Sequence, residues 1–150
     1  MAVTRLATEE DIFDLLVLGR ALSREAGPFY KFDPEKTQTV LKESLTNDQL
    51  QTFVLEDQGN VVGGIVCVLT TLPLGLAPLA TELGMFIERD YRDKHGPWGM
   101  IKLLKEFEGW ARKSGAKHLV ISNILSMSDS KKLYERLGFN PIELNYTKEL

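Results

Sequence analysis

Apolar residues recur along this chain with two distinct periods. Ile12, Leu15, Leu16 and Leu22 fall at helical spacing behind Thr8-Glu9-Glu10-Asp11, an N-cap followed by acids that suit the positive end of a helix dipole. Ala26-Gly27-Pro28 closes that helix. A second helix is predicted over 34–45, with Val40, Leu41 and Leu45 inward. In a third, Ile101, Leu103, Leu104, Phe107, Trp110 and Ala111 share one face and Lys102, Lys105, Glu106 and Arg112 the other, with Gly115 at its end. Residues 128–137 make a short fourth helix that stops at Gly138. Period-two or continuous apolar runs predict strands over 3–6, 51–56, 61–69, 81–87, 117–121 and 142–148, and Asp57-Gln58-Gly59-Asn60 is a hairpin turn between the second and third. The order β-α-α-β-β-β-α-β-α-β describes one α/β (α+β) domain with a mixed central sheet over residues 1–150.

Composition narrows the functions open to such a domain. Of 150 residues, 43% are hydrophobic and 26% charged, as in ordinary globular proteins, and 18 basic against 21 acidic side chains give a net charge of −3. No block of like charge offers a nucleic-acid or membrane surface, so neither partner is expected. Any anion site must therefore be local. The single cysteine, Cys67, sits inside an apolar run and reads as a core residue; it excludes an internal disulfide, and no Cys/His spacing suggests a metal. The opening residues lack a basic-then-apolar leader, and a reducing, cytoplasmic location is expected.

Between the fourth strand and the third helix lies YRDKHGPWGM, residues 91–100, with two glycines and a proline in four positions. A strand that turns through glycine into a helix presents unpaired N–H groups at a positive dipole end, a setting for phosphate. Pro97 suits a first helical position because its missing N–H is not needed there. The amides of Trp98, Gly99 and Met100 become candidate donors, with Arg92 and Lys94 adding charge. Taken alone, such a turn is most often only a turn.

Two further segments change that reading. Met85-Phe86-Ile87-Glu88-Arg89-Asp90-Tyr91-Arg92 and Leu133-Tyr134-Glu135-Arg136-Leu137-Gly138-Phe139, with Thr4-Arg5-Leu6-Ala7-Thr8 and Asp11 near the start, resemble the GNAT superfamily of acyl-CoA N-acyltransferases. That family combines an acid, Tyr-Arg, a loop of the form R/Q-x-x-G-x-G/A and a later helix reading L-Y-x-x-x-G-F. The loop departs from the pattern, because Gly96 and Gly99 stand one or two residues late, as a small insertion would place them.

The resemblance implies acetyl-CoA as co-substrate, no metal, and a sheet whose fourth and fifth strands splay apart around the thioester. Its diphosphate would meet the loop formed by Lys94, His95, Gly96, Trp98, Gly99 and Met100 beside Arg92, and its pantetheine arm would pair with the backbone of Met85, Phe86 and Ile87. A small-molecule or peptide amine would attack directly. An alkyl ammonium titrating near ~10.4 must first lose a proton. Glu82, on the face of Gly84 and Phe86 if period-two alternation holds, is the implied base. Tyr134, at the L-Y-x-x-x-G-F position, is the implied proton donor to the departing thiolate. An acid on the fifth strand is absent, since Ile121-Ser122-Asn123 stands there, and Met127 replaces an Asn frequent before the last helix.

Other residues take plainer readings. His95 is a surface or phosphate-side contact before it is a base, and Trp98 packs the helix start. Phe29 and Tyr30, in an aromatic loop over 27–33, are candidates for the acceptor wall, as is the apolar loop over 70–80. Those loops also allow packing against each other or a homodimer. The alternative to an enzyme is a protein of this fold that is catalytically weak or inactive and serves as an acyl-CoA-binding or protein-interaction module.

Overall fold

A computed structural model describes residues 1–75, 77–124 and 130–150. In chain order it contains β1 (Val3–Leu6), a 3-10 turn (Glu9–Asp11), α1 (Ile12–Ala26), α2 (Pro34–Ser44), β2 (Leu50–Asp57), β3 (Asn60–Thr70), β4 (Leu79–Ile87), α3 (Arg89–His95), α4 (Trp98–Lys113), β5 (His118–Val120) and α5 (Lys131–Arg136). The sheet order is β1-β2-β3-β4-β5. The first four strands are antiparallel and β5 joins β4 in parallel. Gln58 and Gly59 both take positive φ, 51° and 81°, so the β2–β3 turn has the twist that a tight hairpin needs. A parallel neighbour cannot be reached by a hairpin, and α3 with α4 supplies the crossover to β5.

Alternation along the strands divides the core between two faces. Leu55, Ile65, Cys67 and Ile87 point to one side and pack with Leu103, Leu104, Phe107 and Ala111 of α4. Val54 and Phe86 point to the other and meet Ile12, Leu15 and Leu18 of α1 and Leu41 of α2. Burial of side chains of this size stabilises by roughly 1.5–3 kcal/mol each. α4 lies unusually close to the sheet at its first turn. A Cβ built on Gly99 would stand 2.7 Å from Leu55 Cδ2 and 3.0 Å from Ile87 Cδ1, so glycine there lets helix and sheet touch.

Three expectations need correction. Residues 142–148 form no strand, and Ile142, Leu144 and Tyr146 are 76%, 62% and 89% exposed. Alternation gives a segment strand propensity, but a strand also needs a partner edge, and β5 offers only three residues. The expected turn at 91–95 is instead the second half of α3, which carries Asp90 in its first turn and Arg92, Lys94 and His95 in its last, in keeping with its dipole. The helix expected over 128–137 is Lys131–Arg136; residues 128 and 129 lie outside the described residues.

The N-terminal corner is held by a charge network rather than by apolar contact. Asp11 is 5% exposed, accepts from Arg5 Nη1 and Nη2 at 2.7 and 2.9 Å, and accepts the Thr8 N–H at 2.7 Å. Arg5 Nε also donates to Glu56 at 2.8 Å, tying β1 to β2 and to the start of α1. Arg5 holds the Asp11 carboxyl below its usual range against the opposing effect of burial. A carboxyl depressed by folding contributes stability that is complete above its unfolded pKa and is lost as pH falls through the folded one. Asp11→Asn should therefore cost on the order of 2 kcal/mol at neutral pH, with partial solvation of Arg5 keeping the figure modest. Chemical denaturation should show this gap to wild type narrowing as pH drops below about 4.

Candidate active site

The site begins where two strands part. β4 and β5 pair only through Leu79, Ala80 and Thr81 with His118, Leu119 and Val120. β4 continues to Ile87, so from Glu82 onward its outer edge pairs with no strand among the described residues. The gap opens into a cleft lined by Glu82, Met85, Phe86, Ile87, Arg92, Met100, Ser122 and Tyr134 among others. Such an edge presents N–H and C=O groups that an extended ligand can pair with.

A bulge decides which way Glu82 faces. Val66 pairs with Gly84 but Cys67 pairs with Glu82, so Leu83 is an extra residue, 56% exposed, that breaks the alternation. Glu82 therefore lies across from Cys67 on the α4 face, and not on the face of Gly84 and Phe86 as simple alternation predicts. On that face Glu82 Oε2 accepts the Ser122 N–H at 3.0 Å. The carbonyl of the same residue accepts from the Tyr134 hydroxyl at 3.2 Å. One peptide segment thus orients both side chains.

Tyr134 reaches this point because α5 carries it inward, 9% exposed, with Phe139 packed against its ring at 5.9 Å. Phe139 is brought back by the turn at Gly138, whose φ is 90°, and its N–H donates to the Tyr134 carbonyl. Burial, joined by the negative charge of Glu82, pushes the Tyr134 phenol up to about 12. Burial also raises the Glu82 carboxyl, more than the Ser122 N–H lowers it. The pair has the character of a proton acceptor of increased basicity beside a phenol that keeps its proton at neutral pH.

Other expected residues are distributed unevenly. Met85, Phe86, Ile87, Arg92 and Met100 line the cleft with Glu82 and Tyr134, whereas Lys94, His95, Gly96, Trp98, Gly99, Phe29 and Tyr30 do not. His95 stacks on Tyr91 at 4.4 Å, and Gly96, with φ of 60°, caps α3. Trp98 is 64% exposed and does not pack the helix start. Gly99 faces Leu55 and Ile87, so its missing side chain serves the core. The amides of Trp98, Gly99 and Met100 still open α4, since Ile101 is the first to bond backward, to Pro97. Phe29 and Tyr30 form an edge-to-face pair, 66% and 40% exposed, and the Tyr30 carbonyl accepts from the Ser23 hydroxyl. Met127 lies outside the described residues.

Two groups that contact the cleft residues escaped the sequence. The Ser122 peptide acts through backbone atoms, for which no side-chain letter is diagnostic. Glu25, in the last turn of α1, meets Arg92 across 67 positions, with both carboxylate oxygens on Nη2 at 2.8 and 2.6 Å. Nothing local marks it.

A carboxyl raised by burial costs stability when it ionises, because folded chains then hold more protons than unfolded ones and stability falls as pH rises. Glu82→Gln keeps an oxygen for the Ser122 N–H and removes that slope. The variant should melt at or above the wild-type temperature at pH near 8 and lose this advantage near pH 4, as thermal denaturation at the two values would reveal.

Comparison with known proteins places this geometry. No curated protein sequence matches the chain. Among solved structures, a transcriptional regulator from Bacillus halodurans C-125 superposes with a TM-score of 0.80 at 20% identity over 100% of both chains. An acetyltransferase from Trypanosoma brucei does so with a TM-score of 0.74 at 20% identity, again over 100% of both. AAC(6')-Iy, solved with the bisubstrate analogue CoA-S-monomethyl-acetylneamine, gives 0.75 at 17% identity over 100% of this chain and 99% of that one. At such identities the likeness shows the fold. Residues 19–139, which hold the splayed strands, α4 and Tyr134, match the family described as "Acetyltransferase (GNAT) family", and the chain belongs to that family.

Proposed function

We propose that the protein is an N-acetyltransferase that moves an acetyl group from acetyl-CoA to a primary amine by direct attack within a ternary complex. The observation that carries this reading is the convergence of Glu82 and Tyr134 on the Ser122 peptide inside the gap between β4 and β5. A titratable acceptor and a neutral donor held a peptide apart are what aminolysis of a thioester requires. AAC(6')-Iy, a protein of this fold, was solved in complex with a bisubstrate analogue, CoA-S-monomethyl-acetylneamine, which supports a reading in which both substrates are bound together.

The residues present suit the coenzyme. The free edge of β4 from Met85 to Ile87 offers amide groups to a pantetheine arm, and Met85, Ile87 and Met100 give it apolar walls. The first amides of α4, with Arg92 nearby, suit a diphosphate. Acetyl-CoA supplies the activated carbonyl. Glu82, directly or through a water, takes the proton that the amine sheds as the C–N bond forms. A backbone N–H of β4 near Met85 meets the oxyanion. Tyr134 then donates to the sulfur as the C–S bond breaks. Its phenol, at about 12, is a weaker acid than a thiol near ~8.5, so it assists by a hydrogen bond that strengthens with charge on sulfur.

One observation favours the non-enzymatic reading. Leu72 and Leu74 in the loop before β4 are 53% and 99% exposed, as at a surface that meets another protein. Thermal denaturation with acetyl-CoA separates the two, since a ligand at 100 times its dissociation constant stabilises by ~2.7 kcal/mol. No shift with acetyl-CoA, CoA or a longer acyl-CoA would favour the interaction module. Tyr134→Phe should lower kcat by roughly 10²-fold while leaving acyl-CoA affinity within about twofold. Thiol release across a panel of amines gives the rate, and undiminished turnover would remove Tyr134 from the mechanism.

A further inference from the structure

Glu25 and Arg92 join parts of the chain that serve different ligands. Glu25 stands two residues before Gly27, which ends α1 with φ of 99° and opens the loop that carries Phe29 and Tyr30. Arg92 belongs to α3 and lines the cleft, with its Cζ 5.3 Å from the centre of the Phe86 ring. Their contact therefore joins the helix end that leads into the loop of Phe29 and Tyr30 to the wall of the cleft.

The pair is close but incomplete. Glu25 uses both oxygens on a single nitrogen, Nη2, and leaves Arg92 Nε buried with no hydrogen-bond partner. A guanidinium normally binds an oxyanion through two nitrogens, and an unmet buried donor carries a desolvation cost. Both side chains are about three-quarters buried, at 23% and 27% exposure, so neither charge can be abandoned cheaply. Any ligand that separates them must supply an anion to Arg92 and a cation to Glu25. The two substrates of the proposed reaction have those charges.

We infer that this ion pair is exchanged during binding: the diphosphate of acetyl-CoA takes Arg92, satisfying Nε as well, and the released Glu25 carboxylate receives the positive charge of the acceptor. The inference rests on the proposed acyltransferase reading. It makes Glu25 an acceptor-binding residue and makes binding ordered, with the coenzyme first, because Glu25 is occupied until Arg92 leaves. It also narrows the acceptor to amines that carry, besides the amine that reacts, a second group cationic at neutral pH. Phe86 keeps the guanidinium on the cleft wall in both arrangements through its ring face.

Calorimetric titration tests the exchange. Glu25→Gln removes the competing carboxylate and should bind CoA about tenfold more tightly than wild type, while its affinity for pantetheine, which has no diphosphate, stays the same. In steady state the variant should show a KM for a cationic amine such as spermidine raised about tenfold with kcat little changed. Unchanged or weaker CoA binding by Glu25→Gln overturns the exchange. A crystal structure of the wild-type protein with CoA supplies a readout that needs no variant. Arg92 Nη2 should lie beyond 4 Å from Glu25 there, and an intact contact overturns the exchange. Failure of the wild-type protein to bind CoA at all would defeat the acyltransferase reading itself, whereas binding with the pair intact defeats only the exchange.

Discussion

Among the described residues β4 has a strand on its outer edge for three residues and then none, and the candidate site is a consequence of that separation. Were β5 to follow β4 to Ile87, backbone hydrogen bonds would close the gap and bury Glu82 against a ladder. Instead the chain after Val120 moves away far enough for Ser122 to face Glu82 through its N–H and Tyr134 through its carbonyl. Right-handed sheet twist makes divergence cheap at a parallel edge whose last strand is short. The bulge at Leu83 completes the arrangement by turning Glu82 into the gap.

The site's electrostatics follow from the same opening. A half-buried carboxylate with one N–H partner is under-solvated, so its proton affinity rises, and a buried phenol beside it is raised further by the nearby charge. The raised carboxyl opposes stability at neutral pH and favours accepting a proton, whereas the raised phenol stays neutral there and serves as a hydrogen-bond donor. The scaffold overlaps the site only in part. Two apolar layers on the faces of the sheet and the Arg5–Asp11–Glu56 network at its first strand carry the fold, and Phe86, Ile87 and Tyr134 belong both to those layers and to the cleft wall.

Glycine illustrates how one residue type serves different ends in one short stretch. Gly96 takes a left-handed conformation to end α3, and Gly99 removes a side chain so that α4 can touch Leu55 and Ile87. Both lie at the junction where α3 ends and α4 begins, so the residues that lead into the N-terminus of α4 are partly helical and not a simple loop.

The periodic segments were legible in the sequence: Ile12 and Leu15 on α1, Leu103, Leu104 and Phe107 on α4, and the Gln58-Gly59 turn are local patterns with local causes, and they fix the order of the elements. Tyr134 was legible because L-Y-x-x-x-G-F is a local motif. What tertiary structure decided depends on pairs distant in the chain. The face of Glu82 was set by its register with β3, the orientation of Tyr134 by a backbone carbonyl twelve residues away, and the partner of Arg92 by a glutamate on α1. Residues 142–148 mark the boundary in the other direction: their alternation is intact, yet a strand exists only where another strand's edge is there to receive it.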